Sequence, residues 1–393
     1  MDRQSKPHKL DILHKLLPHW LRSIFTPLFQ CIYLPCFRFS SAGAPDKCIH
    51  MAYFGMNRAR AGVWAKRICG ENFTEASHVR RIWYWNIDAY TEKQFPDCQL
   101  VLLETCKLTE HLLARKPGFK MPMWIQLALD TTKTIEELKR ASQRMRDEIP
   151  RTIRKYALQL EICRDADKVA PFIEQMHIPF IHGRHQDNAF LSSKEAIVAR
   201  FESSDLLLIS MAGETIAGVM MHCDNKVASL HYLGVKHNKL EYLKTGCVGA
   251  LYYFSILRCI EKNMHSLHFG GTSPFLTDSL TYFKLSFRPE VIPNTFLPDN
   301  FVKLSLRKKT PQLLDFLQKN PFVSMDNKGA YFRNVYLDAS QIKSVADFDN
   351  VFNKIRCGNI AATRVYVQGE VNFIRTCVNV SGLHANTEIL PYV

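Results

Sequence analysis

The sequence has no C-x-x-C pair and no H-E-x-x-H, and its 12 cysteines and 15 histidines never fall at zinc-finger spacing. No metal site is therefore expected. The cysteines are scattered from Cys31 to Cys377, which points to free buried thiols in a reducing, cytoplasmic compartment rather than a disulfide framework. Long apolar runs are missing as well. The longest uncharged stretch near the N-terminus, Ser23 to Phe37, has 15 residues and contains Pro27 and Pro35. A spanning helix needs roughly 17–25 apolar residues, and prolines break one. No small-residue cleavage site follows, so a signal peptide is not expected. Internal repeats and low-complexity tracts are also absent. Acidic residues are scarce beside basic ones, 37 against 51, for a net charge of +14. That excess favours an anionic partner: nucleic acid, a membrane surface or a phosphate-bearing ligand.

What remains is a globular composition, 47% apolar and 22% charged over 393 residues, enough for two or three domains. Residues 10–39 are apolar with basic punctuation at Lys15, His19, Arg22 and Arg38. They read either as a segment lying on an anionic membrane surface at its inner face, or as an arm packed on the protein's own core. After the linker-like Ser40–Pro45 the pattern is mixed α/β. Buried strands are expected over Cys98–Glu104 and Met123–Leu129. Thr134-x-x-Glu137 is a capping box that starts a helix, Pro150 ends or kinks it, and Arg151–Tyr156 resumes a helical pattern. Arg140, Arg144, Arg151 and Lys155 then share a face, which suits a phosphorylated ligand or simply solvent.

A second capping box, Ser192-x-x-Glu195, opens a helix to Phe201. Three strands follow as an antiparallel meander, Asp205–Met211, Thr215–Cys223 and Val227–Val235. Past Gly246 an amphipathic helix buries Val248, Leu251, Tyr252, Ser255, Ile256, Cys259 and Ile260 on one stripe. A strand over His265–Gly270 and a short helix from about Asp278 to Leu285 complete this region. Near the C-terminus, Arg364–Gln368 and Val371–Asn379 read as two strands of a hairpin around Gly369-Glu370.

The chemistry-bearing feature is Thr245-Gly246-Cys247-Val248-Gly249-Ala250, small residues at a helix N-terminus with Lys244 beside them. Free backbone N–H groups and the positive dipole end there suit a pyrophosphate, although a tight strand-to-helix turn uses the same residues. Cys247 would have a depressed pKa if exposed. His231 and His268, in neighbouring strands, read as bases or as core histidines.

In this order of elements the chain resembles the GNAT acyltransferase superfamily, and more closely its FemAB-like branch, over about residues 121–290. The stretch from Asp205 to Gly218 looks like the family's second and third strands, and His231-Tyr-Leu-Gly-Val like the fourth, where the donor lies. Leu243-Lys-Thr-Gly followed by Ala250-Leu-Tyr-Tyr is similar to the donor loop and its helix, and Leu267-His-Phe-Gly-Gly to the fifth strand. Tyr282-Phe-Lys-Leu-Ser-Phe287 is similar to the ending Y-x-K-x-G-F, with Ser286 in place of Gly. The basic stretch from Leu138 to Ala157 resembles the helix that precedes the second lobe of FemAB-like proteins. One departure concerns the acyl-CoA signature Q/R-x-x-G-x-G/A. Leu243 stands where the polar residue would precede Gly246.

The resemblance implies an α/β (α+β) fold with a mixed, mostly antiparallel sheet flanked by helices. It also implies transfer of an acyl or aminoacyl group from acyl-CoA or aminoacyl-tRNA to an amine or hydroxyl. Tyr282 is the implied proton donor and Lys284 the group that assists the carbonyl. Gly234, Val235, Lys244, Thr245, Gly246 and Gly249 are the implied donor-binding residues. Asp278, Ser273 and His268 stand near the acceptor. The expected organisation is a basic apolar arm (1–45), an α/β lobe that is a degenerate first GNAT-like lobe (46–150), the acyltransferase lobe (151–299) and a C-terminal α/β extension (300–393). The competing expectation is a catalytically inert GNAT-like scaffold that binds an anionic membrane surface through residues 10–39.

Overall fold

The computed structural model describes residues 32–43, 48–75, 80–105, 109, 118–185, 192–293, 301–381 and 386–391. In chain order the elements begin with β1 (Tyr33–Ser40), β2 (His50–Phe54), helix α1 (Arg58–Cys69), β3 (Thr74–Glu75), β4 (Arg80–Trp83), α2 (Ile87–Gln94), β5 (Leu100–Thr105) and β6 (Phe119–Pro122). There follow β7 (Ile125–Asp130), α3 (Ile135–Ala141), a π-helical turn (Arg144–Glu148), α4 (Ile149–Lys155), β8 (Gln159–Cys163), α5 (Val169–Phe172), a second π-helical turn (Ile173–His177), α6 (Ile178–His185) and α7 (Lys194–Phe201). Next come β9 (Ser204–Met211), β10 (Glu214–Asp224), β11 (Val227–Val235), α8 (Leu240–Lys244), α9 (Cys247–Glu261), β12 (Ser266–Thr272), α10 (Ser279–Leu285) and β13 (Glu290–Ile292). The last elements are β14 (Phe301–Leu306), α11 (Pro311–Lys319), β15 (Phe322–Met325), β16 (Tyr331–Asp338), α12 (Val345–Lys354), β17 (Ala362–Gln368), α13 (Val371–Val380) and β18 (Thr387–Pro391).

Two compact units form, one from Met1–Met123 with Asp299–Leu317, the other from Trp124–Pro298 with Gln318–Val393. In the first, the sheet order is β3-β1-β2-β5-β14-β6, with β4 also on β1. In the second, the main sheet runs β13-β7-β12-β11-β10-β9-β8, and a smaller one β15-β16-β17-β18. The two large sheets share a pattern. β1 is antiparallel to β2, β2 parallel to β5, β5 antiparallel to β14 and β14 antiparallel to β6. Likewise β10 is antiparallel to β11, β11 parallel to β12, β12 antiparallel to β7 and β7 antiparallel to β13. The first unit thus completes its sheet with a strand from the far side of the second in sequence: β14 follows β13 yet belongs to the first unit.

This arrangement divides the chain differently from the expected boundaries at 45, 150 and 299. The first would detach β1, which pairs with β2 from Cys36–Phe54 to Ser40–His50. The second falls inside α4, and the third separates β14 from its sheet. It also bears on the membrane-surface reading of residues 10–39. Tyr33–Phe37 and Phe39 are buried strand residues apart from half-buried Arg38 and so serve as core, while residues 10–31 lie outside the described residues. Among the described residues no helix is long and apolar enough to cross a membrane.

The meander forms for the expected reason. Its two turns place Ala212–Gly213 and Asn225–Lys226 at positive φ, the geometry that matches strand twist in tight hairpins. Side chains then alternate between two cores. Leu207, Ile209, Val219 and Met221 pack with Leu138, Met145, Ile149 and the buried stripe of α9. Leu206, Leu208 and Met220 pack with Phe172, Ile173, Met176, Ile197 and Phe201 on the opposite face. The Thr134–Glu137 capping box is present in both directions. Pro150 neither ends nor kinks the chain out of helix: it sits in the first turn of α4, directly after the π-helical turn, where its missing N–H costs nothing. The second cap is Ser193, one residue later than expected, because α7 begins at Lys194 and Ser193 Oγ accepts from Ala196 N at 3.2 Å.

One strand expectation fails. Val371–Val380 is a helix, not the second arm of a hairpin. Ile374, Cys377 and Val378 recur at helical spacing and are buried, and β17 and β18 pair in parallel, which requires a crossover between them.

Candidate active site

The second unit opens its main sheet at one place. β11 and β12 pair in parallel only from Val227–Ser266 to Ser229–His268, then part from each other while running on to Val235 beside β10 and to Thr272 beside β7. β11 carries a bulge there: Gly218 faces Gly234 and Met220 faces His231, so Tyr232 and Leu233 oppose one residue, with Tyr232 at φ 52°. Crevices at the carboxyl ends of diverging parallel strands are where α/β sheets bind ligands.

Lys284 lies at the end of β12. It is 4% exposed, and its Nζ donates to the Gly271 carbonyl at 2.9 Å and the Gly270 carbonyl at 3.4 Å. No carboxylate pairs with it among the described residues. Burial pushes its ammonium down to about 7, against a smaller upward pull from Asp278. A lysine that gains or loses its proton near neutrality can polarise a carbonyl or move a proton. Thr272 and Thr281, joined at 2.7 Å, fix α10 against this strand end.

Tyr282, two residues away on α10, points outward and is 45% exposed. Its phenol lies within the electrostatic reach of Arg144 and Arg288. Arg288 is anchored by Nη1 to the Asn353 carbonyl at 2.7 Å and by Nε to the Ala141 carbonyl at 3.3 Å. Ser142 ties the same junction together, donating to the Ser286 carbonyl at 2.7 Å and accepting from Met145 N at 3.2 Å. Arg144 lies over Phe283 at 4.5 Å and Phe287 at 5.7 Å.

The expected donor-binding residues are distributed unevenly. Gly246 caps α9 in the left-handed conformation, φ 73°, and a Cβ there would meet the Thr152 methyl at 2.8 Å. Gly249 is buried in the first turn, where a Cβ would contact Arg144 Nη2 at 3.7 Å and Ile149 at 3.6 Å. Gly249, Arg144 and Tyr282 therefore converge. Thr245 is turned inward, its hydroxyl donating to the Tyr242 carbonyl at 2.7 Å, and Lys244 is exposed. Val235 is buried core, and Gly234 is pressed on the second π-helical turn, where a Cβ would sit 2.5 Å from His177 N.

Of the residues expected near an acceptor, Asp278 caps α10 by accepting from Leu280 N at 3.1 Å and Thr281 N at 3.4 Å. Ser273 Oγ accepts from Phe275 N at 3.2 Å. His268 is half-buried in β12, and burial lowers its pKa. His231 is pushed down to about 4 by burial, with Arg200 and His222 adding to it. Cys247 does not meet the condition of exposure on which a depressed pKa depended: the thiol is buried, donates to the Tyr242 carbonyl at 3.2 Å, and is raised to about 11 by burial. Arg288 and Trp124, which is 42% exposed and lies 3.9 Å from a Cβ built on Gly271, were not singled out by sequence. Arg288 directly follows the Tyr282–Phe287 motif, which is the signal that would have found it.

The equivalent place in the first unit is closed. At the end of β5, Glu104 Oε2 accepts from Met56 N at 2.7 Å and Oε1 from the Tyr53 hydroxyl at 2.7 Å. A Cβ on Gly55 would collide with this carboxylate, so an acid side chain fills the space beside the start of α1.

No family model matches the chain, and no curated protein matches it in sequence. Solved structures similar to it include FemX (11% identity, 70% of this chain and 89% of that one, TM-score 0.38). A second is the C-terminal domain of an Agrobacterium fabrum protein described as a lysylphosphatidylglycerol synthetase (11%, 71% and 83%, 0.34). A third is a GCN5-related N-acetyltransferase from Kribbella flavida (10%, 82% and 72%, 0.26). At these identities and TM-scores they assign no residue role and no substrate to this chain.

Proposed function

We propose that the protein is an acyl- or aminoacyltransferase whose donor, acyl-CoA or aminoacyl-tRNA, enters the parting of β11 and β12 and places its activated carbonyl at Lys284. The observation that carries this reading is Lys284 itself. Burying a lysine without a carboxylate is costly, and the cost makes sense where its charge is used. In the proposed step the acceptor's amine or hydroxyl attacks the carbonyl carbon, and a C–N or C–O bond forms. The Lys284 ammonium stabilises the tetrahedral oxyanion. The C–S or C–O bond to the donor then breaks, Tyr282 protonates the leaving thiolate or alkoxide, and the acceptor's proton restores the phenol.

Calorimetric titration with CoA, acetyl-CoA, a long-chain acyl-CoA and a charged tRNA tests the reading. Saturable one-to-one binding of one of them is expected, lost when bulky residues replace Gly246 and Gly249. Binding of none of these donors would overturn it and turn attention to an inert scaffold.

A further inference from the structure

The Arg144 guanidinium holds an unspent donor. It belongs to the basic face expected from the sequence, but it does not face solvent freely as Arg151 and Lys155 do. It lies against Phe283 and Phe287, its Nε is fully buried, and that nitrogen has no hydrogen-bond partner among the described residues. Glu148 acts on it through space, with no ion pair between them. An arginine normally directs its N–H donors at acceptors, so leaving the buried Nε–H unspent is expensive.

Its surroundings say what would satisfy it. Nη2 stands over Gly249 in the first turn of α9, where the backbone N–H groups also lack intrahelical acceptors. Arg288 brings a second cation within electrostatic reach of Tyr282, and it bonds the Ala141 and Asn353 carbonyls. Leu243, where the acyl-CoA signature carries Gln or Arg, supplies no donor to this region.

We propose that Arg144 is the phosphate-binding side chain of the donor site, reaching across from the π-helical turn to supply the guanidinium that the loop before Gly246 lacks. The ligand is the phosphate-bearing part of the donor, a CoA pyrophosphate or a tRNA backbone phosphate. The π-helical turn and the Ser142–Ser286 bond hold the guanidinium in place, and the ring of Phe283 keeps its plane fixed for two-point bonding. The assignment rests on the reading of the site as a donor site, and deepens it by naming what the donor must carry.

The test uses the full chain with Arg144→Gln and Arg144→Lys. Binding is measured to CoA and to pantetheine, which lacks the phosphates, and to an aminoacylated RNA minihelix and an aminoacyl-adenosine without backbone phosphates. Inorganic pyrophosphate is titrated as well. Arg144→Gln is expected to weaken the phosphate-bearing ligand by about 10- to 100-fold, the worth of one or two charged hydrogen bonds, and to leave its phosphate-free counterpart unchanged. Arg144→Lys keeps the charge but not the fork, and falls between. Unchanged binding of the phosphate-free fragment also reports that the variant is folded. The CoA and RNA arms tell the two phosphate sources apart. Equal loss for both members of a pair, or no loss for either, overturns the inference. Donor turnover that persists in Arg144→Gln with no competition by pyrophosphate overturns it while the transferase reading stands. Pyrophosphate binding that Arg144→Gln abolishes, with no donor turned over, sinks the transferase reading and upholds the phosphate site.

Discussion

Replacing Lys284 by methionine gives a test that needs no substrate. The side chain is 4% exposed, and burial holds its ammonium near 7 rather than at the usual 10.5. At about 1.4 kcal/mol per pH unit, keeping the charged form in the folded protein costs on the order of 5 kcal/mol. The sign follows from proton counting. Between pH 7 and 10.5 the unfolded chain holds the lysine proton and the folded chain does not, so stability rises with pH across that window. Below pH 7 both states hold it and the full cost is present. From pH 6 to pH 9 the wild-type protein should therefore gain about 2–3 kcal/mol from this residue alone. Lys284→Met removes that gain. It also removes two hydrogen bonds to the Gly270 and Gly271 carbonyls, at about 1 kcal/mol each, but a neutral amine makes those too, so they do not contribute to the difference in slope. Urea unfolding of both proteins at pH 6, 7, 8 and 9, followed by circular dichroism, measures it. The variant should be the more stable at pH 6, and the two curves should converge toward pH 9. Parallel curves would mean that Lys284 is not a desolvated lysine, and the electrostatic argument for the site would fail with it.

Tyr282→Phe should leave the melting temperature within a degree or two, since the ring is 45% exposed, and lower kcat by about 10²–10⁴-fold with KM unchanged in a donor-turnover assay. Asp205 is 2% exposed. Burial alone would raise its carboxyl, but Lys262 at 2.8 Å and Arg258 at 2.9 Å outweigh that and hold it below the usual range. Asp205→Asn leaves those cations facing a neutral amide and should cost about 3–5 kcal/mol in urea unfolding at pH 7. Because the folded carboxyl is the lowered one, that deficit should be present above the ordinary carboxylate range and shrink as pH falls through the lowered value. Gly234→Ala drives a methyl to 2.5 Å from His177 N, backbone against backbone, and should destabilise by about 1–3 kcal/mol or displace the π-helical turn. A variant as stable as the wild type would show that β11 is not held against that turn.

The parts legible from sequence are those whose cause is local. The β9–β11 meander is written in period-two alternation and two-residue turns, and α9 in a stripe that recurs every three or four residues. The place of β14 in the first unit's sheet is not legible. A strand's sheet is chosen by partners nearly two hundred residues away, as when Thr105 meets Phe301, and neither strand carries a mark of that in its own residues. Val371–Val380 misleads for a different reason. Its apolar run is short enough to fit either period, and only the parallel pairing of β17 with β18 decides in favour of a crossover helix.

At the site the same division holds, with one difference. The Tyr282–Phe287 pattern marks where Lys284 and Tyr282 stand, but not that one is buried and the other exposed; a lysine at helix position 284 looks like a surface cation until β12 is packed over it. Cys247 shows the converse. A thiol beside a helix start and a lysine would be activated if exposed, yet this one is buried, and burial raises it. Arg144 joins these lessons. Its place on a basic stripe gives it a charge to offer, and only the fold, by stacking it on Phe283, leaving its Nε without an acceptor among the described residues and holding Nη2 over the first turn of α9, separates it from its solvated neighbours. Burial is the quantity that a sequence pattern carries least and that decides the chemistry most. It lowers Lys284 into the range where a proton can move, raises Cys247 out of it, and makes an unpaired guanidinium an argument for a ligand.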